Sequence, residues 1–425
     1  MYGMTRRSFT RAGAILLAGC GGGDAIGAAP WPVLTIGQET GPVAQLHGYL
    51  SGIAEGLDPY LVLALKPKFW RLGRWDLHVA AKNAGAKTQI VLSDALGQAP
   101  YQNWAGYEAG LRALAAQSVQ GPRVDYWDVS NEPDANWRGT PDQFLELLHR
   151  TYHVLRSFDP TAKLVMPSLT RFDPIILNWA LDYVAAQGLN YSAVSWHEFD
   201  TPSDVATHAA NARAMFAARG LSMEIHINEV ASGQHHLIPG WSLAWLAAME
   251  QADVQWSNLA CWHRESGVGD PSECAKGLDG LLTASQTNTQ APYWVHKAYA
   301  DMAGMRLAVS SPSAGIVALA SRDANAVRAI IGKYSCGQAG RWCLFSDRAV
   351  QDTPFGSSSI NLRVQGYPWA VARVRTAVIP YSNSSVAVSA PVYSAPVSYP
   401  VRFGVVTVPV SNLADGSVRL VFIEK

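Results

Sequence analysis

The 425-residue chain has no excess of charge of either sign, because 33 lysines and arginines face 33 aspartates and glutamates. Without a net field, a polyanion such as nucleic acid is not an expected partner. Charged residues make up only 16% of the chain against 48% hydrophobic, which excludes a disordered polyelectrolyte and points to a packed globular protein. No glycine fingerprint for a dinucleotide and no phosphate-binding loop follows any apolar run, so a nucleotide fold and a bound cofactor are not expected. His235, His236 and His263 are present, but no His-Glu-x-x-His or Gly-x-Ser-x-Gly pattern accompanies them, which disfavours a metal or serine hydrolase. The apolar run from Ala12 to Ala18 is too short to span a bilayer.

That short run is nonetheless informative. It follows Arg6, Arg7 and Arg11 and precedes Gly19 and Cys20, the three-part form of an export signal. Thr5-Arg6-Arg7-Ser8-Phe9 resembles the twin-arginine pattern, and Leu17-Ala18-Gly19-Cys20 resembles a bacterial lipobox, in which the cysteine is lipidated and becomes the new N-terminus. Residues 1–19 then form a signal peptide and 20–30 a flexible tether, with an ordinary signal cut near Ala28-Ala29 as the rival reading. The expectation is an exported lipoprotein, held by Cys20 at a membrane facing the periplasm or cell surface. Loss of residues 1–19 leaves 30 basic against 33 acidic residues. Four of the five cysteines lie beyond the tether, and in an exported chain Cys261 with Cys274 and Cys336 with Cys343 are the economical disulfides, with metal binding as the rival.

From Trp31 to Gly304, short apolar runs alternate with Ala- and Leu-rich helical stretches, the pattern of a parallel α/β fold. Eight runs are counted: Val33 to Ile36, Phe69 to Leu72, Gln89 to Leu92, Asp125 to Val129, Leu164 to Met166, Ala193 to Trp196, Glu224 to Ile227, and Leu259 to Trp262. Eight strands with intervening helices predict a closed (β/α)8 TIM barrel over 31–304. From Met305 the texture changes to period-two alternation, as in Ile360, Leu362 and Val364, or Val418, Leu420 and Phe422. This predicts a C-terminal antiparallel β-sandwich over 305–425, with a borrowed strand from the segment before the barrel as a variant. Its aromatics are assigned to core rather than to a ligand.

In such a barrel the reactive groups gather where strands end, on the C-terminal face. Strand four runs into Asn131-Glu132-Pro133, and strand seven runs Glu224-Ile225-His226-Ile227-Asn228-Glu229. Period-two parity places Ile225, Ile227 and Glu229 on one face, predicting isoleucines inside the barrel and Glu229 at its mouth. Two glutamates facing each other there suit hydrolysis of an acetal, one protonating the leaving oxygen and the other attacking or stabilising the anomeric carbon. The charge of Glu229 is expected to raise the pKa of Glu132. Asp94, Glu198 and Glu265 are competitors near the rim, while Glu224 belongs to the opposite end. Trp70, Trp75, Trp137 and Trp262 are candidates for stacking on sugar rings, Trp262 and Trp137 foremost, and Arg71 and Arg74 for binding hydroxyls or steadying Glu229.

Asn131-Glu132-Pro133 after strand four and Glu229 ending strand seven resemble the large clan of retaining (β/α)8 glycosidases. Ser195-Trp196-His197 and Trp262 narrow the resemblance to glycoside hydrolase family 39, which includes β-xylosidases and endo-acting hydrolases of bacterial exopolysaccharide and adds a β-sandwich to the barrel. The resemblance implies Glu132 as acid/base, Glu229 as nucleophile, Asn131 as a partner of the substrate 2-hydroxyl, and His197 lining the site. The sequence departs from many members at Ser130, where they have an aromatic residue, and at Phe199, where they have a tyrosine that orients the nucleophile. The expected activity is cleavage of β-glycosidic bonds in a polysaccharide by a monomer, endo-acting on exopolysaccharide; an exo-acting xylosidase and a non-catalytic polysaccharide-binding lipoprotein are the alternatives.

Overall fold

The computed structural model describes residues 31–50, 59–230, 237–260, 277–283, 287–313, 315–335, 356–382 and 386–425. The signal and tether, Cys20, Cys261, Cys274, Cys336, Cys343, Trp262, His235, His236, His263 and Glu265 lie outside the described residues. Among the described residues no helix is long and apolar enough to cross a membrane.

Eight parallel strands close into a barrel: β2 (His47–Tyr49), β3 (Phe69–Leu72), β4 (Lys87–Val91), β5 (Tyr126–Asp128), β6 (Leu164–Leu169), β7 (Ala193–Glu198), β8 (Glu224–Val230) and β9 (Trp256–Leu259). The remaining strands form a nine-stranded, mostly antiparallel sheet: β1 (Val33–Pro42), β10 (Met305–Ser310), β11 (Ile316–Arg322), β12 (Ala326–Lys333), β13 (Ser357–Val364), β14 (Val371–Ile379), β15 (Val397–Pro400), β16 (Val406–Ala414) and β17 (Val418–Glu424). The expected architecture is present.

Two strand assignments change. Val33–Ile36, expected as barrel strand one, lies in β1, which pairs antiparallel with β10 and parallel with β13 in the sheet. The stretch 31–304 is therefore not all barrel. The true first barrel strand is the three-residue His47–Tyr49, whose polar, glycine-centred sequence carries no apolar run to mark it. Gly48 is needed there, since a Cβ would stand 2.4 Å from the carbonyl oxygen of Phe69. The last barrel strand begins at Trp256, earlier than the expected Leu259.

Helices follow the expected stretches, and two of them open on strong start signals. The helix Pro141–Phe158 opens with Thr140 and Gln143 in a reciprocal capping box and Pro141 in its first turn. Asp173 caps Pro174–Ala186 by accepting from the amides of Ile175 and Ile176.

The sheet is apolar on both faces at its centre. In β11 and β12, Ala318, Ala320, Val327, Ala329 and Ile331 fill the sandwich, while Leu319 and Ile330 turn the other way. They pack on Leu243, Leu246 and Val295 from the helices Pro239–Gln251 and Ala291–Ala300, which belong to the barrel. This joins barrel and sheet through a shared core. Gly240 sits at the seam, its amide donating to the Gly416 carbonyl at 2.8 Å. A Cβ on Gly240 would come within 2.2 Å of the Lys333 carbonyl oxygen. Gly240→Ala is therefore expected to destabilise the fold by about 2 kcal/mol or more, read as a lower denaturation midpoint.

Candidate active site

The barrel interior is layered. At the bottom, Phe69 stacks on Trp256 with ring centroids 4.6 Å apart, and Tyr126, Val165 and Ala193 complete an apolar plug. Glu224 lies at that end, bonded to Tyr126, Lys163 and His226. Burial would raise its carboxyl, but His226, Tyr126 and Lys163 outweigh that and hold it down at about 2. Above the plug the lining turns polar. Asp128 accepts from Arg71 Nε at 2.9 Å, Gln89 Nε2 at 3.0 Å and Asn228 Nδ2 at 3.0 Å, and Ser168 donates to its other oxygen.

Arg71 links this layer to the mouth. The same guanidinium donates to Glu229 Oε1 at 3.0 Å and to Asn131 Oδ1 at 2.8 Å, and the side chain is 4% exposed. Burial would lower its pKa, but Asp128, Glu229 and Asp94 together outweigh that and raise it, so the group stays charged. A buried guanidinium of this kind satisfies three side chains at fixed angles, which lysine would not do.

The mouth brings together Glu132, His197 and Glu229. His197 Nδ1 lies 3.1 Å from Glu132 Oε1, its Nε2 lies 3.8 Å from Glu229 Oε1, and one ligand atom from each of the three residues falls within 4.8 Å of the others. An approach this close of one oxygen from each carboxylate accords with the spacing of about 5–5.5 Å that allows direct nucleophilic attack. Glu229 Oε2 and His197 Nε2 are both buried without a hydrogen-bond partner. Orphaned polar atoms at the centre of a site are the groups a ligand would satisfy.

The backbone devices that aim these glutamates differ from the simple parity expected. Ile225 and Ile227 face outward into the helix layer, while His226 and Asn228 line the interior. Trp196 and His197 of β7 register with Ile227 and Glu229 of β8, so one extra residue is inserted at Asn228. This β-bulge turns two successive side chains, Asn228 and Glu229, to the same side. A second bulge places Ser168 between the residues that register with Ser195 and Trp196. Glu132 stands after the end of β5 in the left-handed conformation, φ 50°, with its amide donating to the Ser168 carbonyl and Pro133 starting the next short helix. For a non-glycine residue that backbone is strained, and such strain concentrates at sites that need a side chain aimed.

The expected rise in the Glu132 pKa is not what the geometry produces. The hydrogen bond from His197 comes first among the causes and lowers the Glu132 carboxyl below the ordinary range, outweighing its desolvation. Arg71 also lowers it, and by pairing with Glu229 it neutralises the charge that was expected to raise it.

The other candidates are distributed as follows. Asn131 turns its amide oxygen to Arg71 and donates its backbone N–H to Ser93 Oγ, leaving its NH2 to meet a hydroxyl. Trp137 is half-buried beside Pro133, edge-on to Tyr101 and Phe144, with its indole N–H given to the Thr140 carbonyl. Trp70 is fully buried in the helix-facing core, Trp75 packs on His78, and Arg74 is exposed beside Asp76. Glu198 is occupied by Trp196 and His208. Phe199 meets His197 edge-on and offers no hydroxyl, and Arg71 holds Glu229, the task that the resemblance gives to a tyrosine in many members. Asp94 lies close enough to Arg71 and Glu229 to feel both charges, and burial raises its pKa. Sequence reasoning missed Asp128 and Asn228; alternate polar residues on neighbouring strands were the available signal. A Glu-His-Glu trio is also a possible ligand set for a divalent cation, but Arg71, 3.0 Å from Glu229, already supplies positive charge there.

The fold defines the class: a (β/α)8 barrel with an appended β-sheet domain, as found in enzymes of glycoside hydrolase family 39. Among solved structures, N2152 from Neocallimastix frontalis is 22% identical with a TM-score of 0.77, over 93% of this chain and 100% of that one. The GH39 enzyme from Xanthomonas axonopodis pv. citri is 14% identical with a TM-score of 0.70, over 94% and 99% of the two chains. A monomeric β-xylosidase from Caulobacter crescentus CB15 is 13% identical with a TM-score of 0.68, over 92% and 99%. No protein-family model matches the sequence, and no curated protein matches it.

Two outcomes follow from this geometry. Arg71→Met leaves Asp128 and Glu229 as buried carboxylates without a counter-charge, so stability should fall by about 3–5 kcal/mol in denaturant titration, with partial recovery in the Arg71→Met, Asp128→Asn double variant. His197→Phe should move the Glu132 titration upward, seen by difference infrared spectroscopy of the carboxyl band. Because the folded-state value is depressed, this pair stabilises the protein above the unfolded glutamate pKa of about 4.3 and the contribution is lost as pH falls through the folded value; the variant should lack that part of the acid dependence.

Proposed function

We propose that the chain is a retaining glycoside hydrolase that cleaves β-glycosidic bonds of a polysaccharide, with Glu132 as acid/base and Glu229 as nucleophile. The observation that carries this reading is the approach of the two carboxylates to within 4.8 Å at the barrel mouth, one of them with an unpartnered oxygen. Glu229 Oε2 attacks the anomeric carbon, the bond to the leaving oxygen breaks, and the proton of Glu132 passes to that oxygen. Glu132, now a carboxylate, takes a proton from water as the water attacks the anomeric carbon and releases Glu229.

The Glu132 pKa is depressed first by the hydrogen bond from His197. As a glycosidic oxygen enters, it replaces His197 as the partner of Glu132, removing the largest cause of the depression, so that burial of the carboxyl favours the protonated form the first step needs. Asn131 meets the 2-hydroxyl with its NH2, and His197 Nε2 gains a polar partner. Arg71 orients Glu229, the task a tyrosine at position 199 would share.

Endo-action on bacterial exopolysaccharide is the finer proposal, supported by the lipobox at Cys20, which would tether the enzyme where long polymer is exported, and by Phe199, which departs from the xylosidase pattern. The exported, membrane-anchored location is part of the same proposal. Wild type should shorten a long β-linked polymer at internal bonds, releasing a first product with the β configuration by NMR, while Glu132→Gln and Glu229→Gln each lower kcat by about 10²–10⁴-fold. Release of single sugars from chain ends would replace endo- with exo-action. Undiminished activity in both variants would remove the two glutamates from the mechanism.

A further inference from the structure

The turn between β15 and β16 is built against the preference of its own sequence. Arg402 and Val405 exchange both backbone hydrogen bonds at 2.9 Å, so Phe403 and Gly404 form the two corners, with φ of 52° and 72°. Such a turn takes asparagine, aspartate or glycine at its first corner, because φ is positive there, which glycine adopts freely and asparagine and aspartate tolerate better than bulkier residues. Phe403 occupies it and is 105% exposed, so the ring packs against nothing and returns no stability for the strain. The strain and the exposure together make Phe403 a candidate for contact with a ligand.

Beside it lies an open groove of about 590 Å³ on the sheet domain, walled by Phe403 and Arg402 and floored by Val33, Asn361, Arg363 and Thr407. The floor residues sit side by side because β1, β13 and β16 are in register, Val33 opposite Asn361 and Arg363 opposite Thr407. None of these strands contributes to the barrel mouth. Neither Arg363 nor Arg402 has a carboxylate partner among the described residues, whereas Arg322, Arg328 and Arg375 of the same domain are each paired. Two unneutralised guanidiniums, a free aromatic face and short polar side chains make a concave surface of ligand-binding size. Guanidiniums bind carboxylates in fork geometry, and an aromatic face takes the C–H side of a pyranose ring.

We propose that this groove is a second, non-catalytic glycan site that binds a carboxylate-bearing segment of an acidic polysaccharide, keeping the polymer on the enzyme apart from the cleavage site. It takes its ligand class from the polysaccharide reading of the barrel, but its binding is measurable without cleavage. In affinity electrophoresis, the full-length Glu132→Gln chain should be retarded by polygalacturonate or alginate, with weaker retardation at higher salt and little by neutral xylan. Phe403→Ala and the double variant Arg363→Gln, Arg402→Gln should each weaken retardation about tenfold or more, with unchanged melting temperature. On the wild-type background Phe403→Ala should leave hydrolysis of a short chromogenic glycoside unaltered. The proposal is overturned if no acidic polymer retards the protein, if Phe403→Ala is retarded like its parent, or if the groove variants lose adsorption to anionic phospholipid vesicles while polysaccharide binding is absent. Retardation that depends on Phe403, in a protein that hydrolyses no glycan, would uphold the groove and defeat the catalytic reading alone.

Discussion

The barrel mouth depends on one buried cation. Arg71 carries a single positive charge between Asp128 below and Glu229 above, at 2.9 and 3.0 Å, where all three side chains are buried. The pairs need not add net stability, because taking three charges out of water costs about as much as their attraction returns. Their effect is positional. The planar fork fixes Glu229 and Asn131 relative to each other, and Asp128 is anchored in turn by Gln89, Asn228 and Ser168 from three other strands. The site thus rests on a hydrogen-bonded plug that runs down into the barrel.

Strain is concentrated around that plug. Glu132 and Ser168 both take positive φ, and bulges interrupt the ladder at Ser168 and Asn228. These are the positions where polar groups converge from β5, β6 and β8. A regular barrel would send alternate residues outward, so two neighbouring polar side chains can enter the interior only where the ladder gives up a residue. The surrounding shell of Trp70, Trp127, Trp196, Ile225 and Ile227 against the helices is buried and apolar, which keeps the distorted strands in place.

The charge state of the mouth also follows from this arrangement. Arg71 donates to Glu229, and His197 holds the Glu132 carboxyl below its ordinary range. A substrate that displaces the histidine would change the protonation of Glu132 by its own arrival, so binding and activation of the acid would be one event. This ties the departure from the expected pKa to the proposed chemistry.

The sequence by itself determined the alternation of strands and helices, the switch to a β domain and the region where the glutamates lie, because these depend on local period and on Gly, Pro and capping residues. It did not reveal that Val33–Ile36 leaves the barrel for the sheet, since an apolar strand of four residues reads the same in either place and only its partners, β10 and β13, decide. His47–Tyr49 became a strand through its neighbours alone. The parity of β8 was misread because a bulge is invisible in a string of residues: Ile225 and Ile227 look like core lining and are core, but of the outer shell. Arg71 was one of several plausible arginines until closure of the barrel brought Asp128, Asn131 and Glu229, distant in the chain, onto its guanidinium. Periodicity is a local property of the chain; which face is inside, and which charge meets which, is settled only when the strands close on one another.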